Sequence, residues 1–206
     1  MKVSITLFLF IAFSPNMPAI SAEPDPTHHW PFDSSGASGL VLRGKAEPVA
    51  GVEGKSLALD GQSLIEVKES PKLTQGDAGF SLTVWVNPYA LGTDQQMIAA
   101  KNRYSLNERE WGVMIDKDGR LRLYVWRGSW RTVAREEKPK PGHWYFVGVT
   151  ANAKAVTLWV NGKRVGEVAL AKPLPQTAAP LTFGGVNDNG RIWQNLFGAL
   201  DEARLF

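Results

Sequence analysis

Phe80-Ser81-Leu82-Thr83-Val84-Trp85-Val86-Asn87-Pro88 is the stretch whose reading decides the fold. Phe80, Leu82, Val84 and Val86 alternate with Ser81, Thr83, Trp85 and Asn87. Successive side chains of a strand leave opposite faces of a sheet, so this segment has one dry face and one mixed face. β-branched and aromatic residues favour the extended chain, and Pro88, which cannot donate to a ladder, marks its end. The mixed face still carries Trp85, so the pattern predicts a strand covered on both faces, in the middle of a sandwich.

The same grammar runs outward in both directions. Downstream, residues 96–101, 111–116, 120–126 and 130–134 read as strands, with 102–110 and Lys117-Asp118-Gly119 as connections. Residues 143–150, 155–160 and 163–169 follow; the last two flank Asn161-Gly162, the strongest tight-turn pair in the chain. Residues 173–180 form a proline-punctuated loop, and 181–184 and 197–206 close the set. Upstream, 28–33 is a brief apolar strand ending in Asp33, and 40–42 is another, followed by a loop carrying Pro48 and Gly51. Residues 54–60 and 63–67 read as a hairpin about Asp60-Gly61. No segment carries a long helical period and no fixed repeat recurs. The predicted class is all-β: a two-sheet antiparallel sandwich or jelly roll.

Composition sets the outer bounds. The chain has 206 residues, 44% hydrophobic and 21% charged, which fits an ordered globular protein. Residues 5–13 are an apolar run too short to cross a bilayer as a helix. Lys2 precedes it, and Ser14, Pro15, Pro18, Ala19, Ser21 and Ala22 follow, the layout of a secretory signal peptide cleaved after Ala22. A buried terminal strand or helix is the alternative. Residues 23–206 are then expected to form one domain. No later stretch is long and apolar enough for a membrane helix. The formal net charge is +3, and subtracting Lys2 leaves +2, too little to point to nucleic acid or another polyanion. The chain has no cysteine, so disulfides cannot supply rigidity.

The densest unusual segment is Tyr124-Val125-Trp126-Arg127-Gly128-Ser129-Trp130-Arg131, with Arg122 just upstream. On strand 120–126, Leu121, Leu123 and Val125 form the dry face, and Arg122, Tyr124 and Trp126 the other. An aromatic ring offers a flat apolar platform with a polar edge, suited to the C–H face of a sugar. Guanidinium groups at Arg122, Arg127 and Arg131 can grip carboxylate or sulfate beside it. The plainer reading is arginine stems laid over tryptophans to cover a sheet. Trp111 and Trp193 are weaker candidates, and Trp85, Trp144 and Trp159 are assigned to the core or its margin. His28, His29 and His143 show no zinc spacing, and no Gly-x-Ser-x-Gly elbow is present.

The order of several motifs carries more than any one of them. His29-Trp30-Pro31-Phe32-Asp33, Leu57-Ala58-Leu59-Asp60-Gly61 and the 80–86 strand come first. They are followed by His143-Trp144-Tyr145-Phe146-Val147-Gly148-Val149-Thr150, Thr157-Leu158-Trp159-Val160-Asn161-Gly162 and Phe197-Gly198-Ala199-Leu200-Asp201-Glu202-Ala203-Arg204-Leu205-Phe206. The series resembles the laminin G-like domains of bacterial exported proteins, in the concanavalin A-like lectin/glucanase superfamily. Trp159 stands where that family more often has tyrosine. Relatives usually continue past the point where this chain ends, which leaves open a whole small protein or the front of a longer one. The resemblance implies two antiparallel sheets, one curved over the other, with the first and last strands side by side. It does not fix a function, because the fold hosts lectins, glycosidases, adhesion modules and spacers.

Related laminarinase-type enzymes carry a Glu-x-Asp-x-x-Glu run on one strand, and this chain has none. Glu108 and Glu110 flank Arg109, Asp116 and Asp118 bracket a turn, and Asp201-Glu202 are neighbours that a strand sends to opposite faces. The expected function is therefore a secreted, non-catalytic binding module for a glycan. The alternatives are a structural or adhesion domain that meets extracellular proteins, and a diverged glycosidase. Pairing of the first and last strands would also bring Asp33 and Asp201 close, and like charges need neutralising. The resemblance implies a calcium ion there, with backbone carbonyls near Gly54 completing the shell. Solvated or amide-bound aspartates are the alternative.

Overall fold

The computed structural model of the chain describes residues 24–34, 36, 39–70, 79–92 and 94–206. The segment expected to be a signal peptide, and residues 71–78, lie outside these residues. Among the described residues the strands are β1 (His28–Trp30), β2 (Leu40–Arg43), β3 (Ala46–Ala50), β4 (Lys55–Asp60), β5 (Leu64–Val67), β6 (Phe80–Pro88), β7 (Gln96–Arg103) and β8 (Glu108–Ile115). They continue with β9 (Leu121–Trp126), β10 (Trp130–Ala134), β11 (Tyr145–Ala151), β12 (Ala155–Val160), β13 (Lys163–Ala169), β14 (Leu181–Phe183), β15 (Val186–Asp188), β16 (Arg191–Trp193) and β17 (Phe197–Leu205). One turn of 3-10 helix, Tyr104–Leu106, interrupts them.

Two antiparallel sheets result. The eight-stranded sheet runs β13–β12–β11–β6–β17–β4–β3, with β1 also on β17. The seven-stranded sheet runs β10–β9–β8–β7–β14–β5–β2, and β15–β16 is a separate hairpin. The all-β sandwich expected from the alternation is thus observed, and β1 does pair with β17, from His28↔Leu205 to Trp30↔Ala203. In β6 the dry residues Leu82, Val84 and Val86 are buried, and Ser81, Thr83, Trp85 and Asn87 are half-buried. No second layer covers Trp85. Its ring packs on Phe146 of the neighbouring β11, centroids 5.1 Å apart, so an in-plane neighbour supplies the shelter expected from a covering layer.

Three expectations are corrected. Residues 54–60 and 63–67 are strands, but not a hairpin: β4 joins the larger sheet and β5 the smaller. Asp60 Oδ1 accepts from Gln62 N at 2.9 Å and from Ser63 Oγ at 2.6 Å, a side-chain-built turn that carries the chain across the sandwich. Residues 46–50, read as loop because of Pro48, form the edge strand β3, where a missing N–H is tolerated. Residues 186–193, outside the strands expected from the sequence, form β15–β16 about Asn189-Gly190, whose φ angles of 56° and 95° suit that pair.

The main core lies between the sheets. Leu82, Val84, Val147, Val149 and Leu158 meet Trp111, Val113, Ile115, Leu123 and Phe183. A second, smaller cluster sits on the outer side of β7 and β8. There Met97, Ala100, Met114 and Val186 are buried beneath Tyr104, Tyr124 and Trp193.

At one end of the seven-stranded sheet, a buried ion pair fastens the proline-bearing loop. Lys101 and Glu110 are 4% and 2% exposed, and their Nζ–Oε1 distance is 3.0 Å. Nζ also donates to the carbonyls of Thr177 and Ala179, while Glu110 Oε1 accepts from Thr177 N and Oγ1. Removing one member strands a buried charge. Glu110→Ala should therefore lose about 3–5 kcal/mol in denaturant unfolding, and the double replacement Lys101→Met/Glu110→Leu should recover most of it. A Glu110→Ala variant as stable as the parent would show that the loop is not held this way.

Candidate functional site

The outer face of the seven-stranded sheet carries a row of rings. Trp126 and Trp130 are register partners on β9 and β10, with centroids 5.1 Å apart at 67°. Trp130 meets Tyr124 at 6.1 Å and Tyr104 at 6.0 Å, and Tyr104 meets Trp193 at 5.3 Å. All are edge-to-face contacts, the arrangement favoured by the ring quadrupole. The row is half-buried rather than fully exposed. Burial pushes the phenols of Tyr104 and Tyr124 above their ordinary range, and for Tyr124 the hydrogen bond to Asp116 adds to the shift.

The arginines are sorted by strand alternation. Arg122 shares the ring face, but ion pairs occupy it. Its Nη2 is 2.6 Å from Asp118 Oδ2, and its Nε lies 2.8 Å from Asp116 Oδ2 without the alignment of a hydrogen bond. Arg131 is opposite the buried Val125 in register, so it leaves the other side of edge strand β10. Arg127 donates to the Pro173 carbonyl across that edge. The expectation that Arg127 and Arg131 flank the tryptophans is therefore corrected. The cation over Trp126 is Arg109, 4.9 Å from the ring centroid, and Arg191 stands over Trp193 at 5.4 Å.

Trp193 also forms one wall of an open cavity of about 630 Å³. Gln95, Gln194, Asn195, Asp94, Lys117 and the exposed Phe197 line it. The loop after β6 and the exit of the β15–β16 hairpin make its two rims. Gln96 ties them, donating to Ala90 O and accepting from Phe197 N, both at 2.9 Å. Gln194 takes a left-handed φ of 52°, uncommon for a residue with a side chain, and its carbonyl accepts from Met97 N at 2.8 Å. Trp193 Nε1 is enclosed without an acceptor.

The cavity wall is a directed hydrogen-bond chain. Gln95 Nε2 donates to Asp116 Oδ1 at 3.0 Å, Gln194 Nε2 donates to Gln95 Oε1, and Tyr104 Oη donates to Gln194 Oε1 at 3.2 Å. Burial opposes ionisation of Asp116. Hydrogen bonds from Tyr124, Gln95 and the Lys117 amide, with the charge of Arg122, outweigh it and hold the carboxyl below its usual range.

Sequence reasoning placed Tyr124, Trp126 and Trp130 on this face and ranked Trp193 low. Trp111 is core, with no exposed surface. The amides of Gln95, Gln194 and Asn195 were missed. Asn189-Gly190 was the available signal, since it marks the hairpin that delivers Trp193 and Gln194.

A second aromatic surface lies on the outer face of the eight-stranded sheet. Trp85, Trp144 and Phe146, with Asn161 and Gly162, outline a shallow hollow of about 470 Å³. These tryptophans are half-buried on the outward face, not core.

Asp33 and Asp201 meet the same turn, residues 51–54. Asp201, fully buried, accepts from Val52 N at 2.6 Å and Glu53 N at 3.2 Å through Oδ2, and Asp33 Oδ1 accepts from Lys55 N at 2.9 Å. A Cβ on Gly54 would sit 2.9 Å from Asp33 Oδ1, and one on Gly51 2.5 Å from Asp201 Oδ2, so both glycines permit the approach. Burial, with Glu202 nearby, pushes the Asp201 carboxyl up against the lowering effect of the two amides. Its Oδ1 is enclosed with no hydrogen-bond partner among the described residues, an oxygen suited to a hard cation. Among the described residues no three acidic or histidine side chains converge as a metal group, so an ion here would depend on backbone carbonyls.

A laminin G family model of the concanavalin A-like lectin/glucanases superfamily matches residues 59–206. The chain belongs to that family. No curated protein sequence matches the chain. Among solved structures, domain 4 of AbnA, an extracellular GH43 arabinanase of Geobacillus stearothermophilus, in complex with arabinotriose, is 24% identical. The match covers 88% of this chain and 91% of that one, with a TM-score of 0.66. The CBM40 of a Ruminococcus gnavus IT-sialidase, bound to α2,3-sialyllactose, is 11% identical over 73% of this chain and 89% of that one, at 0.61. A Trypanosoma rangeli sialidase mutant is 15% identical, covering 81% of this chain and 27% of that one, at 0.58. These likenesses establish the laminin G-like jelly roll, and they include binding domains and an enzyme alike. No helix among the described residues is long and apolar enough to cross a membrane.

Proposed function

We propose that this chain is a non-catalytic, carbohydrate-binding module of an exported protein, and that its ligand lies in the Trp193 cavity and along the ring row toward Trp126. One observation carries the reading: an indole wall set beside side-chain amides that have spare hydrogen-bonding capacity, in an open cavity of about 630 Å³. A sugar offers an apolar C–H face for the ring and hydroxyls that both donate and accept, and side-chain amides do both. Among the described residues Asp94 is the one carboxylate lining the cavity, whereas glycoside hydrolysis uses a pair, which supports a binding role over an enzymatic one. Arabinotriose, held by the AbnA domain, is the natural first probe within a glycan array. Trp193→Ala should weaken binding about tenfold or more in calorimetry, read well below a melting temperature that the lost cover over Met97 and Val186 will lower.

A second reading, contact with an extracellular protein, is favoured by the hollow of Trp85, Trp144 and Phe146. If Trp85→Ala abolishes capture of a partner while the array stays blank, this reading replaces the first.

Export rests on Lys2 and the apolar run 5–13. Mass spectrometry of the protein from its host should give a start near Glu23, and a cytoplasmic product retaining Met1 would refute it.

We also propose that Asp201, Asp33 and the Gly54 carbonyl hold a structural calcium ion, for which the unpartnered Asp201 Oδ1 is the support. An ion bound only by the folded state, at a hundredfold its Kd, raises the melting temperature by about 5–10 °C. EDTA should lower it by that much and added calcium restore it; an unmoved melting curve after chelation would eliminate the site.

A further inference from the structure

Gln95 and Gln194 are the cavity's adaptable hydrogen-bonding groups, and an amide can present either end to a ligand. A carboxylate is different, because when ionised it only accepts. Asp116 lies behind the cavity wall and takes the Nε2 of Gln95 at 3.0 Å. That contact turns Gln95 Oε1 toward Gln194, which must answer with its NH2, and Gln194 Oε1 then faces the Tyr104 hydroxyl. Each amide spends one N–H in the chain, and no hydrogen bond among the described residues takes the second. Lys117, exposed on the same wall, adds a cation with no carboxylate partner among the described residues.

We propose that Asp116 is the positioning residue of this site: it fixes the donor–acceptor polarity of Gln95 and Gln194, so that the wall offers N–H groups to acceptor oxygens of the ligand. This deepens the carbohydrate reading and rests on it. Selectivity then falls on the position and number of the ligand's ring and hydroxyl oxygens, while Trp193 supplies the stacking surface. Asp116 is itself held by Tyr124 Oη at 2.7 Å, by the Lys117 amide at 2.9 Å and by the charge of Arg122. Asp118 and Arg120 stand in the adjoining turn, joined to each other and, through Asp118, to Arg122. Asp94 is the remaining charged group on the cavity rim. The net effect of this surrounding is a carboxyl that stays ionised below the ordinary carboxylate range. A group with a lowered folded-state pKa keeps its contribution at neutral pH and loses it as pH falls through that lowered value. The polarity should hold down to acid pH and fail there.

The test reads the amides first, without a ligand. In nitrogen-15 spectra of the full chain, the side-chain NH2 pairs of Gln95 and Gln194 should be dispersed and slow to exchange. Their shifts should titrate together at a midpoint below the ordinary carboxylate range. Asp116→Asn, nearly isosteric but able to donate as well as accept, should collapse that dispersion and abolish the titration. Gln194→Met, which keeps the length but cannot donate to Gln95, should shift the Gln95 pair while leaving its titration with Asp116, and guards against a folding defect in the first variant. Arabinotriose affinity should fall about tenfold in both variants. Amide signals that are unchanged in Asp116→Asn, or arabinotriose affinity equal to the parent's, would overturn the proposal. Failure of the carbohydrate reading looks different: the parent itself would bind no glycan, whatever its amides do.

Discussion

The pairing of β17 with β6 is the interaction on which the rest depends. β17 comes last in the chain, yet it lies in the middle of the larger sheet, between β6 on one side and β4 and β1 on the other. Its buried Leu200 and Ala199 align with Val86 and Asn87 of β6 and with Leu57 and Ala58 of β4. β17 therefore joins β4, β3 and β1 to the β6–β11–β12–β13 half of that sheet. The register shifts between Asp201 and Arg204, and Glu202 takes a φ of 48° there. This bulge frees Asp201 to reach the 51–54 turn and Glu202 to meet His29 on β1 at 2.8 Å.

The candidate site follows from a different consequence of the sandwich. One face of each sheet is consumed by the core, so chemistry must be built on the outer faces or at the rims. On the smaller sheet, Met97, Ala100 and Met114 leave an apolar patch on the outer side, and the β15–β16 hairpin with Tyr104 covers it. Covering the patch places Trp193 and Gln194 at the rim. The ring row and the amide-lined cavity are thus the visible border of a small second core. The same packing explains why the rings are half-buried: each covers apolar surface while showing an edge or part of a face.

Much of the strand pattern was legible because period-two alternation is a local property. β10, β12 and β13 fall where alternation and turn pairs put them, and the Asn161-Gly162 hairpin is paired as its turn chemistry demands. What failed did so for stated reasons. Pro48 argued against a strand because a sequence does not reveal that β3 is an edge. Asp60-Gly61 looked like a hairpin turn because the same residues also serve a turn that changes sheet. Arg127 and Arg131 were grouped with the tryptophans by proximity in sequence, although alternation sends Arg131 to the opposite face.

The sequence by itself determined the sandwich class, the inward residues of β6 and β9, and the family. All of these reside in the spacing of apolar residues and the order of short motifs, which neighbouring positions carry. Only the tertiary structure decided which strands pair, which aspartates meet, and which polar groups face a common space. Gln95 and Gln194 are 99 residues apart in the chain, yet their amides share a hydrogen bond across the cavity wall. Such contacts depend on how two sheets and a hairpin close over one another, and nothing within a strand's own length encodes that closure.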